Sequence, residues 1–109
     1  MGLFGGSKKP FRFRFYTTGE SAHTEKIMEA VRIVLDEKIS GLYDLEFINV
    51  LFKEKVAKTD GVFMTPTLAK IEPPPIQKLF GSLGDVENLR QELAFLDEEK
   101  AKLPPPPTA

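Results

Sequence analysis

Residues 11–16 read Phe-Arg-Phe-Arg-Phe-Tyr, and over 11–15 aromatic and cationic side chains alternate strictly. A period of two is the signature of a β-strand, in which successive side chains point to opposite faces. Phe11, Phe13 and Phe15 then share one face, and the stems of Arg12 and Arg14 lie on the other or reach solvent. The run also has the look of a basic-aromatic platform for nucleic acid. Charge decides against that. Lys+Arg is 15 and Asp+Glu 16, a formal net charge of −1, whereas phosphate binding calls for a basic face. The segment is therefore a core strand, and no nucleic acid is expected as a partner.

Residues 17–20 are a turn. Ser21 is an N-cap candidate with acidic Glu25 in the first turn, and Ile27, Val31, Val34 and Leu35 recur at helical spacing beside Met28. This helix should end near Lys38, before Ser40 and Gly41. Residues 45–52 (LEFINVLF) are apolar on both faces, which predicts a parallel strand covered on both sides and a right-handed βαβ unit. Residues 53–60 are weakly helical, with Val56 and Ala57 apolar, and end at Gly61. Strand three starts after Pro66, since proline has no N–H for a central ladder. The prolines at 73–75 reverse the chain, and residues 76–80 form an antiparallel fourth strand. Asp85 then caps a helix to about Lys102, with Val86, Leu89, Leu93 and Leu96 on one face.

The order βαβαββα predicts an α/β, thioredoxin-like fold: a four-stranded mixed sheet flanked by helices. The domain is expected over residues 10–102. It is preceded by a flexible Gly/Ser/Lys arm, 1–9, and followed by a Pro-rich tail, 103–109, that suits either an aromatic groove or a stiff terminus. An N-myristoylation reading at Gly2 fails because residue 6 is Gly rather than Ser or Thr.

Function classes fall away quickly. With no cysteine and a single histidine, His23, the chain has no thiolate chemistry and no His-based metal site or Ser-His relay. No metal or other cofactor is expected. Met1 to Lys9 lacks the apolar core and cleavage site of a secretory signal, and no stretch nears the roughly 18 apolar residues of a membrane span, so a cytoplasmic protein without membrane contact is expected. Dithiol oxidoreductases of this layout place two thiols at the first helix N-terminus. Here that place reads Ser21-Ala22-His23-Thr24, which excludes redox activity. The rival reading is a glutathione-binding or glutathione-dependent enzyme that uses Ser21, with the backbone beside Pro66 holding the peptide. Against it, Ser21 serves as a helix cap. Pro66, in Thr65-Pro66-Thr67 ahead of a strand, matches the cis-proline position of such folds. It fits a rigid loop or a slow conformational switch.

Phe15-Tyr16-Thr17-Thr18-Gly19, Gly41-Leu42-Tyr43, the block Thr65-Pro66-Thr67-Leu68-Ala69-Lys70-Ile71-Glu72-Pro73-Pro74-Pro75 and then Leu79-Phe80-Gly81 carry a family resemblance. Over roughly residues 9–98 the chain resembles the KaiB family of circadian clock proteins. The resemblance implies a non-enzymatic adaptor that binds the ring-shaped KaiC-type ATPase and recruits or displaces other components, including a signalling histidine kinase. It also implies fold switching (metamorphic behaviour) between a tetramer with a rearranged C-terminal half and a rare thioredoxin-like monomer. Contact residues carried over are Arg14, Lys70 and Lys78, with Pro66 for the geometry of the fold. Glu46 and Gly61 stand where the family leads one to expect Lys, as in a divergent paralogue. The strong cap and helix formers after Gly84 lead to the expectation that this chain rests mainly in the thioredoxin-like fold as a monomer, with the tetramer as the alternative.

Overall fold

A computed structural model describes residues 9–19 and 21–103. Residues 1–8, Glu20 and residues 104–109 lie outside it, and with them most of the expected N-terminal arm and Pro-rich tail. The chain forms β1 (Phe11–Thr17), α1 (Ala22–Ile39), β2 (Tyr43–Asn49), α2 (Glu54–Thr59), β3 (Thr67–Glu72), β4 (Gln77–Leu79), α3 (Val86–Glu92) and α4 (Phe95–Ala101). The sheet order is β2-β1-β3-β4, with β1 parallel to β2 and antiparallel to β3, and β3 antiparallel to β4.

The alternation in β1 divides the molecule. Phe11, Phe13 and Phe15 are fully buried in one core with Ile27, Val31, Val34 and Leu35 of α1 and with Leu89, Leu93 and Leu96. A buried Phe or Leu contributes about 1.5–3 kcal/mol, so this layer dominates the stability. Ser21 caps α1 by accepting the Thr24 N–H at 3.1 Å, worth about 1 kcal/mol. On the opposite sheet face Tyr16, Ile48 and Ala69 pack with Ala57 of α2 and Val62. Among the described residues, α2 is the one helix that covers that face.

Two elements differ from expectation. The second strand spans residues 43–49 instead of 45–52, and it is an edge strand with only Ile48 buried. Asn49 ends it. Its side-chain oxygen accepts the Leu51 N–H at 2.9 Å, and its carbonyl accepts from Phe52 and Lys53. This is a side-chain-closed turn of the kind Asn favours. The C-terminal helix is two helices. Short-range bonds from Ala94 to Gln91, Leu96 to Leu93 and Asp97 to Ala94 tighten the backbone between them, as in a 3₁₀ turn. Leu93 leaves helical geometry at φ −101°, ψ 14°. The bend keeps Leu89, Leu93 and Leu96 all buried while swinging α4 across β3.

Candidate protein-docking site

At the C-terminal ends of β1 and β2 the chain exposes apolar side chains it has not covered. Asn49 turns the backbone out of the sheet, leaving Leu51 at 68% and Phe52 at 84% exposure, and after Val62 the chain exposes Phe63 at 88% and Met64 at 57%. Between these segments lies an open groove of about 600 Å³, lined by Thr18, Val50, Leu51, Ala57, Phe63 and Met64. Glu54 and Lys58 of α2 also line it and pair with each other at 3.8 Å. Monomeric surfaces seldom leave large apolar groups contiguous unless a partner covers them.

Beside the groove stands the first turn of α1, where dithiol enzymes of this fold do their chemistry. Here hydroxyls close on the backbone. The Ser21 hydroxyl takes the capping N–H and donates to Thr24 Oγ1 at 3.2 Å, and Thr24 Oγ1 donates to the Gly19 carbonyl at 3.2 Å. Ser21 is thus engaged as a helix cap, and His23 is exposed. Across the groove the Thr65–Pro66 bond is cis, as are Glu72–Pro73 and Pro74–Pro75. Among the described residues no group of His, Asp or Glu could hold a metal ion.

Arg14 and Lys78 lie on the sheet face carrying α2, and both are committed within the molecule. Arg14 donates through Nη1 to Asp60 Oδ2 at 2.7 Å and through Nε to Glu46 Oε1 at 3.0 Å. Burial works against its charge, but the bonds to Asp60 and Glu46 outweigh it and leave the guanidinium pKa raised. Tyr16 also donates to Asp60 Oδ2. Burial, then this bond, raises the phenol pKa well above its ordinary value. Lys78 Nζ donates to the Gly61 carbonyl at 3.1 Å. Gly61 sits at φ +73°, and a Cβ there would come within 2.7 Å of Lys78 Nζ.

Lys70, read as a contact residue, is fully buried in this fold. Its ammonium donates to both carboxylate oxygens of Glu99 at 2.9 Å and stands 5.4 Å from the Phe95 ring centroid, so α4 covers it. The four residues singled out are not one cluster: Arg14 and Lys78 flank α2, Lys70 faces the other core, and Pro66 borders the groove. Leu51 and Phe52 escape a reading of residues 45–52 as one strand, although Asn49 within that run signals a turn.

Fold and site together define a thioredoxin-like domain in which an exposed apolar surface lies beside the position of the usual dithiol. Comparison with known proteins narrows the class. The KaiB domain family profile matches residues 14–95. The chain is 35% identical over 92 residues to the circadian clock oscillator protein KaiB of Microcystis aeruginosa, covering 84% of this chain and 88% of that one. It is also 35% identical over 95 residues to KaiB of a Cyanothece species, covering 87% and 90%. Among solved structures, the N-terminal domain of Synechococcus elongatus SasA superposes with a TM-score of 0.69 at 20% identity, covering 87% of this chain and 90% of that one. The Drosophila melanogaster thioredoxin Deadhead superposes at 0.65 with 16% identity, covering 85% and 87%. These two establish the fold, which is the α/β thioredoxin-like architecture expected.

The chain belongs to the KaiB family. It is a KaiB-like circadian clock protein of a family of non-enzymatic oscillator proteins, and the glutathione-dependent enzyme reading at Ser21 falls with that membership.

Proposed function

We propose that this protein is a cytoplasmic adaptor that docks, as a monomer resting in the thioredoxin-like fold, on a KaiC-type ATPase of a clock or related signalling system. Through that ring it competes with or recruits a signalling histidine kinase. The supporting observation is the exposed quartet Leu51, Phe52, Phe63 and Met64 around α2. These side chains add nothing to the core, and their removal from water is available only to a partner. Arg14 and Lys78 serve this surface from beneath, and Pro66 shapes its rim. Lys70 contributes by fixing α4, since no partner reaches it in this fold.

The reading is tested with a Leu51→Ser/Phe63→Ser variant and an immobilised KaiC-type ring, incubated for hours. Losing two buried apolar anchors should weaken binding at least ~10-fold while the urea midpoint stays within error of the parent. Unchanged affinity in the double variant, or no binding by the parent chain, overturns the reading.

A further inference from the structure

The helix between the two exposed apolar segments, α2, is poorly anchored by its own residues. α2 has six residues, its N-cap Lys53 makes no side-chain capping bond, and Ala57 is its single fully buried side chain. A helix this short has no stability of its own and takes its position from what it is tied to. The firm tie is at its C-cap. Asp60 stands there at φ −81°, ψ −1°, and its Oδ2 receives both the Tyr16 hydroxyl and the Arg14 guanidinium. Tyr16 and Arg14 belong to β1, one of the two inner strands of the sheet. The ring of Tyr16 is fully buried between Ile48, Ala57, Val62 and Ala69. One residue further, the Gly61 carbonyl is held by Lys78 of the edge strand β4. Phe63 and Met64 follow directly, and Leu51 and Phe52 precede α2.

We infer that Tyr16, Arg14 and Asp60 form a positioning triad that sets the aim of α2 and its exposed apolar flanks, so that partner affinity depends on residues the partner does not touch. This rests on the docking role proposed above. A carboxylate accepting two donors from one rigid strand has a single favourable placement, and hydrogen bonds to a charged acceptor are the stronger kind. Without the phenol donor the Arg14–Asp60 pair remains, but Arg14 is shared with Glu46 and partly exposed, which weakens its hold. α2 then samples open arrangements, and binding is reduced by the fraction of time spent in them.

Tyr16→Phe removes the hydroxyl and keeps the buried ring. Amide hydrogen exchange across residues 54–64 should accelerate about tenfold, while the amides of Phe13 and Leu68 in the sheet core stay within about twofold. Affinity for the KaiC-type ring should fall by a similar factor. Asp60→Asn keeps an oxygen for Tyr16 and should lie between Tyr16→Phe and Asp60→Leu in both measurements. Unchanged exchange over 54–64, acceleration spread equally over the whole sheet, or faster exchange with unchanged affinity overturns the inference. The exchange measurement needs no partner. If exchange rises selectively and the unmodified chain binds no ring, the triad holds α2 as inferred and the docking role is what fails.

Discussion

Lys70 holds a positive charge where water does not reach, and Glu99 supplies both oxygens that stabilise it. Removing one partner of such a pair costs more than the pair is worth, because the survivor stays desolvated. The two sides are unequal here, since Glu99 keeps some exposure and Lys70 has none. Glu99→Ala should therefore destabilise by about 3 kcal/mol, and Lys70→Met, which leaves a carboxylate able to reach solvent, by about 1 kcal/mol or less. Urea titration of both checks the order, and equal losses would contradict it. That Lys70 faces inward was legible in principle: it lies two residues from Leu68 on one strand, and a period of two puts both on the same face. The two tyrosines give a second test at this scale. With two Tyr and no Trp, phenolate absorbance reads only Tyr16 and Tyr43. Burial, then the bond to Asp36, pushes Tyr43 up to about 12 from an ordinary 10.0, and Tyr16 is raised further. Both phenols thus hold their proton more tightly folded than unfolded, so stability is full below pH 10 and declines as pH climbs toward 12. Tyr16→Phe should flatten that decline, and a stability flat from pH 10 to 12 in the parent chain would contradict the assignment.

At the level of elements, β1 and α1 could be read from the chain because each has one dominant period and α1 has a side-chain cap. β2 ends sooner than its apolar content implies because one turn-forming Asn stops it, and burial cannot be inferred for a strand whose place at the sheet edge is set by residues distant in sequence. The break between α3 and α4 was illegible for a different reason: Leu89, Leu93 and Leu96 fit one helical stripe whether or not the axis bends. The turn after α2 yields a prediction. Gly61 needs its positive φ, and any Cβ there also displaces the Lys78 ammonium. Gly61→Ala should cost about 1–2 kcal/mol, and Lys78→Met in that background should add less than it does alone, because the two changes disrupt one contact. Thermal unfolding of the four chains measures this, and strict additivity would argue against the shared contact.

For the whole molecule, the described residues place α1, α3 and α4 on one face of the sheet and α2 alone on the other, so this part of the chain is thickly built on one side and thinly on the other. The C-terminal helices belong to the thick side through Leu89, Leu93 and Leu96, and that burial favours the thioredoxin-like arrangement. Backbone chemical shifts should be helical over 86–92 and 95–101, with a sedimentation coefficient of a monomer. Strand shifts there, or a tetramer at micromolar concentration, would refute the proposed resting state. The sealed ammonium of Lys70 also has a practical consequence. An acylating reagent modifies only amines it can touch, so in the native protein residue 70 should stay unlabelled while the surface lysines react. Mass spectrometry of its acylation over time would then clock how often the last helix lifts from the sheet, with the protein acting as its own probe.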